Sequence, residues 1–232
     1  SDMTAAKLIL SYPVWKGTLS VGTEFTSSRI RGEYTNAEQY VAASNTKIEE
    51  QNIACFAEYG LKFGDFSVNT GVRYEHVKSD YYSFGDWQTE PSRRYSDWFP
   101  SASMSWNRDK WALQFAYTCK TQRPSYNSLR DEVQYDNRYT YEGGNPYIRP
   151  CIINNVDLNV VYDWLSFNAG YNYIDKPMVW VATLYQGKDI AFMRNVNFNH
   201  SKDVYVSIVA SPRFGWYNPM AEIDYTQSFL SI

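Results

Sequence analysis

The chain has 232 residues, a net charge of −3 and a mean hydropathy of −0.51, room for one large all-β domain or two ordinary ones. The small charge and the lack of any basic run argue against a nucleic-acid binder, and no apolar run approaches the ~20 residues of a membrane helix. Cys55, Cys119 and Cys151, odd in number and outside any C-x-x-C pair, give neither a zinc ribbon nor a disulfide framework. What stands out is an aromatic content of 18%, with 21 Tyr and 8 Trp. Rings with an apolar body and a polar tip suit a membrane interface.

Taken in chain order, the pattern predicts about ten strands: residues 4–13, 17–28, 50–63, 66–78, 97–107, 110–120, 151–162, 165–185, 189–212 and 216–230. Five tight turns collared by aromatic rings join them in pairs, at Val14-Trp15-Lys16-Gly17, Phe63-Gly64-Asp65-Phe66, Trp106 to Trp111, Tyr162-Asp163-Trp164 and Phe214-Gly215-Trp216-Tyr217. The connections at the other end are long and polar, at 29–50, 79–97 and 121–150, with a projecting hairpin whose tip is near Gly187. Asp175-Lys176-Pro177 bulges or ends the first arm of that hairpin, because proline cannot donate to a ladder.

Within the strands the side chains alternate. Ile53, Cys55, Ala57, Tyr59, Leu61 and Phe63 share one face, as do Trp111, Leu113, Phe115, Tyr117 and Cys119. Val156, Leu158, Val160 and Tyr162 continue it, with Asn154 as a blemish. These faces carry no Lys, Arg, Asp or Glu, and on a lipid-facing surface a mid-depth Arg or Lys would cost ~2–4 kcal/mol. The runs match the ~9–11 residues of a tilted membrane strand better than the ~5–6 of a soluble one. Small and polar residues fill the opposite face, as a lumen requires.

Short turns at one end, long loops at the other and a ring of aromatics describe an antiparallel up-and-down transmembrane β-barrel of the outer membrane. The competing fold is a soluble β-sandwich whose apolar faces pack on each other. It would make the chain a lectin-like binding module and would leave the one-sided aromatic collars unexplained. A surface adhesin barrel without transport is a third possibility. Neither terminus carries an export or closing signal, so the expectation is a single partial barrel domain over 1–232, with both ends on the long-loop side.

Several blocks between Gly71 and Pro177 support a more specific reading. They are Gly71-Val72-Arg73-Tyr74-Glu75, Trp98-Phe99-Pro100-Ser101, the run Arg123-Pro124-Ser125-Tyr126, the run from Tyr141 through Gly143-Gly144-Asn145-Pro146 to Pro150, and Asn154-Asn155-Val156-Asp157-Leu158. In order and spacing this stretch resembles the Bacteroidetes outer membrane protein β-barrel family within the TonB-dependent receptors. The resemblance implies a barrel of about twenty-two strands with a plugged lumen, energised through the TonB complex by way of the plug region. It also implies uptake of a bulky nutrient (a glycan, siderophore or peptide), contact with outer-membrane lipid and a surface lipoprotein as a further partner. The plug, the TonB box and the barrel ends are not among these residues.

No catalytic pattern is present: neither G-x-S-x-G nor a phosphate-cradling glycine loop occurs, and no cofactor is expected. His76 and His200 lack metal-ligand spacing and read as loop-base residues. Asp131, Glu132 and Asp136 lack the alternation of a calcium loop and read as a solvated acidic stretch. The carboxylates Glu58, Glu75 and Asp157 are expected to pair across strands with groups such as Lys62 and Arg73. Ligand contact is expected in loop 121–150, through Arg123, Tyr126, Arg130, Tyr135, Arg138, Tyr139, Tyr141, Tyr147 and Arg149. Tyr and Arg dominate binding surfaces, although membership of the outer aromatic girdle is the stronger reading for tyrosines at this density.

Overall fold

A computed structural model describes residues 1–35 and 41–232. Ten long strands form one antiparallel wall: β1 (Asp2–Val14), β2 (Gly17–Tyr34), β3 (Ser44–Phe63), β4 (Phe66–Ser83), β5 (Asp86–Arg108) and β6 (Trp111–Gln122), then β9 (Cys151–Tyr162), β10 (Leu165–Asp175), β13 (His200–Ala210) and β14 (Ala221–Ser231). Each pairs with the next in that order, and β1 and β14 are the two edges. Four short strands make a separate sheet: β7 (Val133–Asn137), β8 (Thr140–Gly143), β11 (Met178–Leu184) and β12 (Ala191–Asn197). Its order is β11-β12-β8-β7, with β12 and β8 parallel. No helix occurs among the described residues.

The register of the wall brings an apolar row from each of the ten strands onto one face. One row runs Leu10, Val21, Ala57, Val72, Pro100, and another Phe115, Leu158, Ala169, Val206, Tyr225. No described residue packs over this face: Ile53, Met104, Phe115 and Ile208 are 41–50% exposed. A sandwich would bury these side chains against a second layer, so the single wall excludes it. From Phe66 to Tyr74 on β4, and over the matching stretches of its neighbours, the face carries no charge, which is the depth of a hydrocarbon core.

Both margins of the band are marked. At the short-turn end Phe63 stacks on Phe66 at 5.4 Å, Trp111 meets Tyr162 at a tilt at 4.4 Å, and Trp15 and Trp216 project almost bare. At the other end Tyr74 meets Trp98 at 4.9 Å. Beyond them the same face turns ionic, with Arg29–Glu49 at 2.7 Å and Lys78–Asp80 at 2.6 Å. His76, bonded to Ser96 at 2.8 Å, sits on that margin within β4 rather than at a loop base, while His200 opens β13 and stacks on Tyr173.

The strands run well past this band, which corrects the expected loops. Connection 79–97 is a tall hairpin turning at Phe84-Gly85, and β5 reaches 23 residues, about 75 Å if fully extended. Residues 89–92 bulge out where Ser79 pairs with Arg93 and Tyr81 with Gln88. Pro91 lies in that bulge, where no ladder donor is needed, and Ser92 Oγ takes the Tyr81 N–H. β2 and β3 likewise extend to Tyr34 and from Ser44; the tip at 36–40 lies outside the described residues.

Two further boundaries differ. Asp175-Lys176-Pro177 ends β10, and the Gly187 hairpin leaves the wall as β11 and β12 instead of prolonging it. The last short turn spans 211–220, bracketed by Pro212 and Pro219, so β13 stops at Ala210 and β14 starts at Ala221.

The buried core is not in the middle of the wall. Ile48, Ala54, Val77, Tyr81 and Phe99 lie on the polar face of β3–β5; the core also holds Ile148 of the 123–150 connection and Cys151 at the start of β9. Ile148 is 1% exposed and Val77 fully buried.

Candidate functional site

Residues 123–132 leave β6 and cross the polar face of the wall as far as β2. Arg123 binds Glu75 on β4 at 2.5 Å and hydrogen-bonds Tyr95 on β5. Tyr126 reaches Ser28 on β2 at 2.9 Å, and burial pushes its phenol up. Arg130 lies flat over Gly32, where a Cβ would come within 2.8 Å of its Nε, and reaches Glu132 at 3.5 Å. Glycine there is what lets the guanidinium approach the backbone so closely.

Asp131 is the central anchor. Its Oδ1 accepts from Ser44 and, at 2.7 Å, from Thr46; its Oδ2 accepts from Ser83 at 3.0 Å. Burial alone would raise its pKa, but the three hydroxyl donors outweigh that and hold the carboxyl below the usual range. At the far end of the segment Arg93 donates to the carbonyls of Ile148 and, at 3.0 Å, Pro146. Asp131 is therefore a clamp onto the β3–β4 hairpin. Glu132 takes Arg130 and Gln134, and Asp136 takes Asn137, so the three acidic residues are separately engaged rather than gathered.

The predicted contact residues thus fall into three groups. Arg123, Tyr126 and Arg130 are docking residues, half-buried against the wall. Tyr135 and Tyr141 meet at a tilt with their rings 5.5 Å apart on one face of the small sheet, where Tyr141 is buried and meets Tyr185 edge-on at 4.9 Å. Arg138, Tyr139, Tyr147 and Arg149 remain exposed, with Arg138 over the Tyr139 ring at 4.4 Å. None of these tyrosines belongs to the outer girdle, which Tyr74 and Trp98 form. Arg149 and Tyr147 border an open cleft of about 510 Å³ with Arg94, Asp97, Asp175 and Lys176, where β5 splays from β6 beyond the Ser101–Thr118 pair.

On the polar face nearer the short turns, Lys7, Glu24, Arg73 and Glu75 form an ion-pair chain, Arg73 meeting Glu75 at 2.6 Å and Glu24 at 3.3 Å. Asp157 accepts from Tyr205. Glu58 and Lys62 make no ion pair among the described residues, so only part of the expected cross-strand pairing forms. A groove of about 500 Å³ beside them is lined by small polar groups such as Ser101, Ser103 and Thr118. Sequence reasoning passed over Trp180 and Glu142, which share one face of the small sheet. No local signal could have joined them, since their strands come from different connections.

Comparison with solved structures identifies the wall. The FrpB iron transporter from Neisseria meningitidis (F3-3 variant) superposes with a TM-score of 0.62 at 15% identity, over 98% of this chain and 35% of that one. The copper transporter OprC gives 0.68 at 13% identity, over 99% and 38%. A ferric enterobactin receptor mutant, PfeA R480A/Q482A from Pseudomonas aeruginosa, gives 0.63 at 14%, over 96% and 35%. At these identities the likeness is one of fold, and the chain spans little more than a third of each of those proteins. No curated protein matches significantly. The outer membrane protein beta-barrel family matches residues 1–229. With its bare apolar band, two aromatic margins and single antiparallel wall, the chain belongs to the outer membrane protein β-barrel family and resides in the outer membrane.

Proposed function

We propose that this wall is part of a TonB-dependent receptor that imports a bulky nutrient, whether glycan, siderophore or peptide, and that it performs no catalysis. One observation carries the reading: both long connections, 122–151 and 175–200, fold together at one end and the first crosses the polar, lumenal face. A surface structure held over the lumen by clamps is what a selective mouth requires, whereas a barrel serving only adhesion has no need to cover its interior. The unpaired outer edges of β1 and β14 call for further strands. The rest of the receptor would supply those strands, a plug and the TonB contact, making 1–232 one partial barrel domain. The motif blocks from Gly71 to Pro177 favour a Bacteroidetes host, and the exposed Arg138, Tyr139, Tyr147 and Arg149 would meet ligand or a surface lipoprotein.

Growth of gene-deleted and parental cells on ferric chelates, peptides or oligosaccharides as the limiting source tests this. A defect confined to one class and reproduced by loss of TonB is expected. Equal growth on all, or a defect independent of TonB, contradicts it.

A further inference from the structure

We infer that the small sheet carries a saccharide subsite, a cup in which one neutral sugar ring stacks on Trp180. The inference rests on the receptor reading only in placing this cup on the ligand side. Register puts Trp180 of β11, Asn195 and Met193 of β12, Glu142 of β8 and Gln134 of β7 on the same face of the sheet. The other face is the aromatic layer of Tyr135, Tyr141 and Phe192, with Tyr185 of the hairpin tip packed on it. One side of this four-stranded sheet is therefore consumed by packing and the other is free. The docked 127–132 segment walls the free side, leaving an open cup of about 260 Å³.

The chemistry of the cup is specific. Trp180 is 46% exposed in a sheet whose other large rings mostly pack on each other. Indole offers a flat apolar face, which matches the C–H face of a pyranose. Around it stand groups able to bind hydroxyls. Among the described residues Glu142 has no ion-pair partner and Asn127 no side-chain hydrogen bond, and both are exposed. Gln134 gives its amide to Glu132 at 2.6 Å, which leaves its carbonyl oxygen turned elsewhere. A ring face plus a few carboxylate and carboxamide groups is the economy of an oriented polar ligand site. The cup is smaller than the ~300–1,000 Å³ of a drug-sized pocket, so it fits one ring of a chain.

Charge decides between ligand classes. Glu132 is offset by Arg130 at 3.5 Å, and Glu142 then leaves the cup with one uncompensated negative charge. Anionic chelates and acidic sugars are repelled, and neutral polyols are not. A small organic cation is the remaining competitor, since it would suit both the ring face and Glu142.

Saturation-transfer NMR on isolated outer membranes carrying the protein, prepared from cells lacking TonB, separates these cases. The probes are neutral gluco-, galacto- and manno-oligosaccharides of several residues, a sialylated oligosaccharide and tetramethylammonium. The expected result is transfer to at least one neutral probe above gene-deleted membranes. It should fall roughly tenfold in Trp180→Ala, the scale of losing a central aromatic anchor, and persist in Trp180→Phe. The double variant Glu142→Ala/Gln134→Ala, which leaves the ring in place, should weaken it severalfold and decides the matter if Trp180→Ala does not fold. Transfer to no neutral probe, equal transfer in the variants, or transfer to tetramethylammonium alone overturns the subsite. Because no uptake is measured, loss of the receptor reading would leave this result standing, and the reverse holds equally.

Discussion

The middle of the wall and its long-connection end are stabilised in opposite ways. In the band, along β4 from Phe66 to Tyr74, no residue is buried by protein: the apolar side chains face outward, Ser67, Asn69, Gly71 and Arg73 face the lumen, and backbone pairing joins the strands. Its stability must come from the solvent, since a bilayer core offers no partner for an unpaired backbone group and favours a continuous ladder. At the far end the logic is that of an ordinary protein, with Ile148 packed on the wall and Asp131 held by three hydroxyls. The lesson is that the two regions should respond to different insults, and each can be disturbed alone.

The largest separation should come from Ile148→Ala, which removes a fully buried side chain and costs about 2–5 kcal/mol. Residues 123–150 should then become protease-sensitive while heat-modifiable migration of the barrel stays normal. The converse is Leu158→Arg at mid-depth, expected to cost ~2–4 kcal/mol of barrel stability. Asn159→Arg, one residue on and facing the lumen, should be tolerated. Unfolding equilibria in detergent or lipid read the difference.

Asp131→Asn sharpens the comparison further. It weakens charge-assisted hydrogen bonds of about 1.5–3 kcal/mol and should loosen the crossing segment only. The sign with pH follows from the depressed folded-state value. The clamp's contribution is complete above the ordinary carboxyl value of 3.8 and is lost as pH falls through the lower value in the folded chain. Limited proteolysis should show the segment releasing at acid pH in the parent, with little pH dependence in the variant. Smallest of all is Lys110→Ala, which breaks the 2.5 Å pair with Asp163 in a short turn. Both groups are solvated, and thermal unfolding should not change measurably.

What was legible in the sequence divides along the same line. Inside the band one face must be apolar, so period-two alternation and the aromatic collars located ten strands and the five short turns, Phe214-Gly215-Trp216-Tyr217 included. Past the band the outer face turns ionic and the inner one carries only scattered apolar residues such as Ile48, Val77 and Tyr81, so the alternation fades and the extensions of β2–β5 read as loops. Pro91 cannot donate to a ladder, and the bulge accommodates it. Beside the final turn the strand ends misled in the opposite way, because Phe214, Trp216 and Met220 supply alternation that Pro212 and Pro219 prevent from becoming strand. At the mouth, Arg123 and Arg138 look alike in a tyrosine-rich loop. Only the fold shows that one is docked against Glu75 and the other exposed. Of the four short strands, β11 and β12 were read as arms of the Gly187 hairpin, while β7 and β8 lay in a stretch read as loop; their union in a separate sheet was not legible, because β12 meets β8 through residues about fifty apart, as in Phe192 with Tyr141.

Site-directed spin labelling along β6 tests most directly whether the apolar face meets hydrocarbon. With the native cysteines replaced, single labels at 113, 114, 115, 116 and 117 would be read in bilayers for collision with oxygen and with a water-soluble nickel chelate. Oxygen access should peak at 113, 115 and 117 and nickel access at 114 and 116. A flat profile, or nickel access at the odd positions, would mean that Phe115 and its neighbours face water or protein.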